Sequence, residues 1–123
     1  MFIDTHAHLY GEEFDADRDD VIRRALAAGA EQIILPNVDE ASIEPMQRLC
    51  DAYPDLCLPT MGLQPEELPA DPRPLLDKME QLLATGRYAA VGEVGVDLYW
   101  DAGRREEQLA VFDREIRWAV RFD

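Results

Sequence analysis

The chain has two histidines, His6 and His8, and they stand one residue apart in the opening stretch FIDTHAHL. In an extended strand, side chains two apart share a face. Phe2, Asp4, His6 and His8 then line one face, and Ile3, Thr5, Ala7 and Leu9 line the other, where they could pack against helices. Imidazoles at this spacing can converge on one metal ion, because neutral imidazole is a common metal ligand. Two ligands do not close a site, and neighbouring histidines can also be merely hydrogen-bonded or half exposed. A further ligand must come from elsewhere in the chain.

The stretch GEVGVD offers one. Alternation puts Val91, Glu93, Gly95 and Asp97 on one face. A carboxylate inside an otherwise apolar strand costs about several kcal/mol unless it is paired or bound to a cation. Glu93 is therefore the third candidate ligand, and a salt bridge to a base is its alternative. Asp97 is either a carboxylate at a helix start or a group that supports a ligand through a hydrogen bond. Reactive groups of parallel α/β folds sit at the C-terminal ends of strands. The candidate strand ends here carry His6 and His8, then Asn37, Gln64 and Glu93.

The elements that must position these groups alternate strand and helix four times. After FIDTHAHL and an acidic loop, DRDDVIRRALAAGA has Val21, Ile22, Ala25 and Leu26 at helical spacing, with Gly29 suited to the C-terminal cap. EQIILPNV predicts a strand, and SIEPMQRLCDAY a helix with Ser42 as N-cap and Pro45 in its first turn. LCLPTMGL predicts a third strand. DPRPLLDKMEQLLATG predicts a third helix, with Leu75, Leu76, Met79, Leu82 and Leu83 apolar and Gly86 ending it. RYAAVGEVGVD predicts a fourth strand. GRREEQLAVFDREIRWAVRFD predicts a fourth helix, with Leu109, Phe112, Ile116, Ala119 and Val120 inward.

Apolar strands alternating with helices point to parallel βαβ units. They recur at roughly 25 to 30 residues, as in a TIM-like (β/α) barrel, whose eight units need about 250 residues. The expected fold class is α/β, the first four βα units of such a barrel, with residues 1–123 forming the N-terminal half of one domain. Such a chain is a fragment, a truncated form, or a subunit that completes itself by association. A small open α/β sheet is the alternative.

Composition narrows the function. Apolar residues make up 47%, which suits a globular protein. No apolar run approaches the roughly 20 residues of a membrane span, so no membrane partner is expected. No basic-then-apolar segment opens the chain, and the expected compartment is the cytoplasm. Cys50 and Cys57 lie among apolar neighbours without C-x-x-C spacing and read as reduced core residues. With 26 acids against 12 bases the net charge is −14. Binding nucleic acid through a basic face is thereby excluded, and a phosphate ester would need a cation to offset the repulsion.

DTHAHL, MGLQPEEL and GEVGVDLYW, with REEQLAVFDREI in the helix that follows, together resemble the TatD-type metal-dependent hydrolases, a branch of the amidohydrolase superfamily. The resemblance runs over essentially the whole chain but about half of a family member. It implies a TIM-like barrel with one or two divalent ions (Mg, Zn or Mn) over its mouth. His6 and His8 look like the family's H-x-H metal ligands, and Glu93 like its strand-four carboxylate. Two departures stand out. The family's G-x-H-P reads Gly62-Leu63-Gln64-Pro65 here, and Gln64, a candidate substrate-binding residue, cannot donate a proton or carry a positive charge near neutral pH. The family's later ligands, two histidines and an aspartate that would serve as general base, come from strands beyond the fourth, so no catalytic base is assigned within this chain.

The expected function is metal-dependent hydrolysis of DNA phosphodiester bonds by the complete protein, with this chain alone inactive or nearly so. The alternatives are hydrolysis of a small-molecule ester or amide, and a non-catalytic, metal-binding half-barrel that self-associates or pairs with a missing C-terminal half through its exposed strand edge.

Overall fold

A computed structural model describes residues 1–123. Four strands form a parallel sheet in the order β1-β2-β3-β4: β1 (Phe2–Asp4), β2 (Ala30–Leu35), β3 (Cys57–Met61) and β4 (Ala90–Val91). The helices α1 (Arg18–Ala28), α2 (Glu40–Ala52), α3 (Arg73–Leu83) and α4 (Arg105–Arg121) alternate with them. Consecutive strands are neighbours, and crossovers of one hand keep the helices on one face. A doubly wound sheet would reverse its order and place helices on both faces. The sheet is a curled half-barrel, and the open-sheet alternative falls away.

The core lies between the sheet and its helices. Ile33, Leu35, Cys57 and Met61 from the strands meet Ile22, Ile43, Met46, Leu76, Met79 and Trp118 from the helices, all nearly or fully buried. Cys50 and Cys57 are free and buried, and burial pushes their thiols up to about 12 and about 11, so both stay protonated at neutral pH. β1 is an edge: Phe2 and Ile3 are 46% and 51% exposed, so Ile3 lacks the packed environment that alternation predicted for its face.

Local chemistry sets the helix ends. α1 stops at Gly29, whose φ of 95° is left-handed and costs a glycine little. The N-cap of α2 is Asp39, three residues earlier than expected. Asp39 accepts the backbone N–H of Ser42, and the Ser42 hydroxyl accepts that of Asp39, so Ser42 completes a capping box as its third helical residue and is not the N-cap. Pro45 therefore lies beyond the first turn, inside α2.

Two further expectations are corrected. β4 ends at Val91, so the long alternating strand through Asp97 does not form; only Thr60–Ala90 and Met61–Val91 pair with β3. α4 turns a different face inward. Gln108, Val111, Glu115 and Trp118 are buried, while Leu109, Ile116 and Val120 are 36%, 49% and 79% exposed. The reason is polar. Gln108 accepts the Asp97 N–H and donates to the Asp97 carbonyl, and Glu115 accepts the Leu63 N–H. Loops beneath α4 present bare backbone groups, and leaving such groups unpaired costs about 1–3 kcal/mol each.

Candidate metal centre

β1 ends at Asp4, yet the extended path continues: the Ala7 N–H donates to the Ile34 carbonyl at 3.1 Å. Asp4 Oδ1 accepts the His6 N–H at 3.1 Å. His6 and His8 thus remain two apart on extended chain and project together. Their Nε2 atoms lie 3.0 Å apart, with the rings at 73°. Behind His8, its Nδ1 lies 2.7 Å from the Tyr10 hydroxyl, and that hydroxyl donates to the Pro36 carbonyl at the end of β2. Burial pushes the Tyr10 phenol well above its ordinary value, so it is neutral.

Glu93 arrives from the other edge of the sheet on irregular backbone. Its N–H donates to the Asn37 carbonyl at 2.9 Å, and the Gly92 N–H to the Met61 carbonyl at 3.1 Å. The Gly92 carbonyl accepts the Thr60 hydroxyl at 2.7 Å. Asn37 is fully buried and ties these loops together: Nδ2 donates to the carbonyls of Gly62 and Asp39, and Oδ1 accepts the Ser42 hydroxyl. Gly62 completes the support. A Cβ there would sit 2.7 Å from the Glu93 carbonyl oxygen and 2.9 Å from the Gly92 carbonyl carbon, both backbone atoms unable to swing aside. Gly62→Ala should therefore displace Glu93, cost about 1–3 kcal/mol of stability through overpacking, and weaken divalent-ion binding about tenfold, as loss of a supporting group typically does. Calorimetric titration with Zn²⁺ or Mn²⁺ checks this; unchanged affinity would contradict the placement.

Glu93 Oε2 lies 3.5 Å from both His6 Nε2 and His8 Nε2. No other set of three histidine, cysteine or acidic side chains converges in this way. Three atoms at these separations can all lie about 2 Å from a single point, the distance imidazole and carboxylate keep from a zinc-like ion. The donor set, two nitrogens and one oxygen, suits a borderline divalent cation. The group fits the residues present.

The other predicted residues stand outside this cluster. Gln64 caps a short turn (Pro65–Glu67): Oε1 accepts the Glu66 N–H and Nε2 donates to the Glu66 carboxylate. The Asp97 carboxylate accepts the Tyr99 N–H, and no hydrogen bond joins it to His6, His8 or Glu93. Tyr10 is the supporting residue that sequence reasoning missed; Asn37 is placed by it at a strand end, but without its role in tying the loops together.

The chain is similar to several known proteins. Over 119 residues the chain is 32% identical to the Bacillus subtilis protein named uncharacterized metal-dependent hydrolase YabD, covering 97% of this chain and 46% of that protein. It is 26% identical over 117 residues to the 3'-5' ssDNA/RNA exonuclease TatD of Pectobacterium carotovorum, covering 95% of this chain and 45% of that protein. The crystal structure of YjjV, a TatD homologue from Escherichia coli, superposes with a TM-score of 0.89 at 31% identity, over 99% of this chain and 48% of that one. The chain thus spans about half the length of the relatives it matches. The family model described as TatD related DNase matches residues 3–123, nearly the whole chain, and the chain belongs to that family.

Proposed function

We propose that this chain forms the metal-binding half of a hydrolase that cleaves phosphodiester bonds of DNA. The observation that carries the reading is the convergence of His6, His8 and Glu93 on one point. When bound, a divalent ion supplies a water of lowered pKa and a Lewis-acid contact to a phosphoryl oxygen. The chain's own residues do the rest. Two neutral imidazoles and one carboxylate leave such an ion a surplus positive charge, and in a chain of net charge −14 that surplus gives an anionic ester somewhere to bind. Further ligands and the general base belong to strands beyond the fourth.

A small-molecule ester or amide is the second reading. It is favoured by Gln64, whose amide is turned onto Glu66 and brings no positive charge to a phosphate. Co-expressing the chain with the second half of E. coli YjjV and assaying single-stranded DNA beside an aryl ester separates the two. Metal-dependent DNA cleavage lost on His6→Ala supports the first. Ester turnover alone, with the same dependence, supports the second. Absence of both in a folded complex that takes up metal overturns the hydrolase reading.

A further inference from the structure

We infer that Tyr10 is a positioning residue for the metal centre: its hydroxyl selects the tautomer of His8 that leaves Nε2 free for an ion. This rests on the metal-site reading above and adds a residue to it. The Tyr10 hydroxyl has one proton, and that proton goes to the Pro36 carbonyl. Toward His8 Nδ1, 2.7 Å away, the oxygen can then only accept. Nδ1 therefore carries the ring hydrogen, and Nε2, the atom facing His6 and Glu93, carries the lone pair. The arrangement is rigid. Tyr10 is 8% exposed, and its ring meets the His8 ring edge-on at 83°. Through the Pro36 carbonyl, the orientation of His8 is referred to the end of β2, a central strand. Hydrogen bonds to the second nitrogen of a ligating histidine set its tautomer and basicity, and their loss typically lowers metal affinity about 10- to 100-fold.

Two measurements on the 123-residue chain test this. In the metal-free protein, ¹⁵N NMR of the imidazoles should show His8 held as the Nδ1–H tautomer, and Tyr10→Phe should release it to the mixture of an unconstrained ring. Titration with Zn²⁺ should then show affinity about tenfold or more weaker in Tyr10→Phe. Tyr53→Phe, which removes a hydroxyl bonded only to Asp19, should change neither. An Nε2–H tautomer in the unsubstituted protein, or equal tautomer ratios in both proteins, overturns the proposal. So does equal affinity in proteins that bind the ion. A tautomer shift in a chain that takes up no ion would uphold the role of Tyr10 while rejecting the metal reading.

Discussion

Glu93→Gln is expected to weaken binding of Zn²⁺ or Mn²⁺ by about 100-fold, with little change in the stability of the metal-free chain. Three protein ligands share the binding free energy, which for zinc sites runs to about 10 kcal/mol or more. Losing one of them removes on the order of 3 kcal/mol, or about two powers of ten. The fold should survive, because what Glu93 contributes to the architecture is backbone: its N–H on the Asn37 carbonyl, and the neighbouring Gly92 carbonyl on Thr60. The amide keeps the shape and loses the charge. Linkage gives a second readout. An ion at 100 times its Kd stabilises the folded chain by about 2.7 kcal/mol, so Zn²⁺ should raise the melting temperature of the unsubstituted chain and leave Glu93→Gln nearly unmoved. An equal shift in both would show that the ion sits elsewhere.

The three ligand candidates were legible because their chemistry is sparse and their geometry local. His6 and His8 are the only histidines, and their convergence needs only two residues of extended chain. Glu93 drew attention by being a charge among apolar residues, although the strand invoked to aim it ends two residues earlier. The strand–helix order was legible for the same kind of reason, since apolar runs and Gly29 are read one segment at a time. Properties set by distant partners were not. The inward face of α4 carries Gln108 and Glu115 because loops 11 and 52 residues away need acceptors, and the spacing of Leu109, Phe112 and Ile116 points to a face turned by about 100°. Tyr10 next to an acidic loop looks like a surface aromatic until Pro36 and His8 are placed against it. Ser42 looks like an N-cap because the true cap, Asp39, sits three residues earlier and shares the bond.

Glu115 should make the chain less stable as pH rises, and Glu115→Gln should remove that dependence. The carboxyl is 1% exposed; Oε1 accepts the Leu63 N–H at 2.8 Å, and Oε2 has no partner. Burial raises it from an ordinary 4.5 to about 8, outweighing the Leu63 bond, which pulls the other way. Between those values the folded chain holds a proton that the unfolded chain has lost. Stability from this group is therefore greatest below about pH 4.5 and falls by on the order of 1.4 kcal/mol per unit until about pH 8. Glutamine still accepts from Leu63 but brings a buried NH₂ without acceptors, at about 1–2 kcal/mol. Denaturant titrations should accordingly cross: Glu115→Gln less stable than the unsubstituted chain at about pH 4, and more stable at about pH 8.5. Parallel pH profiles would mean that Glu115 is ionised in the fold. The consequence reaches the metal centre, because Leu63 follows Gly62, the residue packed against the Glu93 carbonyl. A protonated Glu115 thus holds the loop that backs a ligand, and Glu115→Ala, which leaves the Leu63 N–H unpaired beside a cavity, should cost about 3 kcal/mol or more.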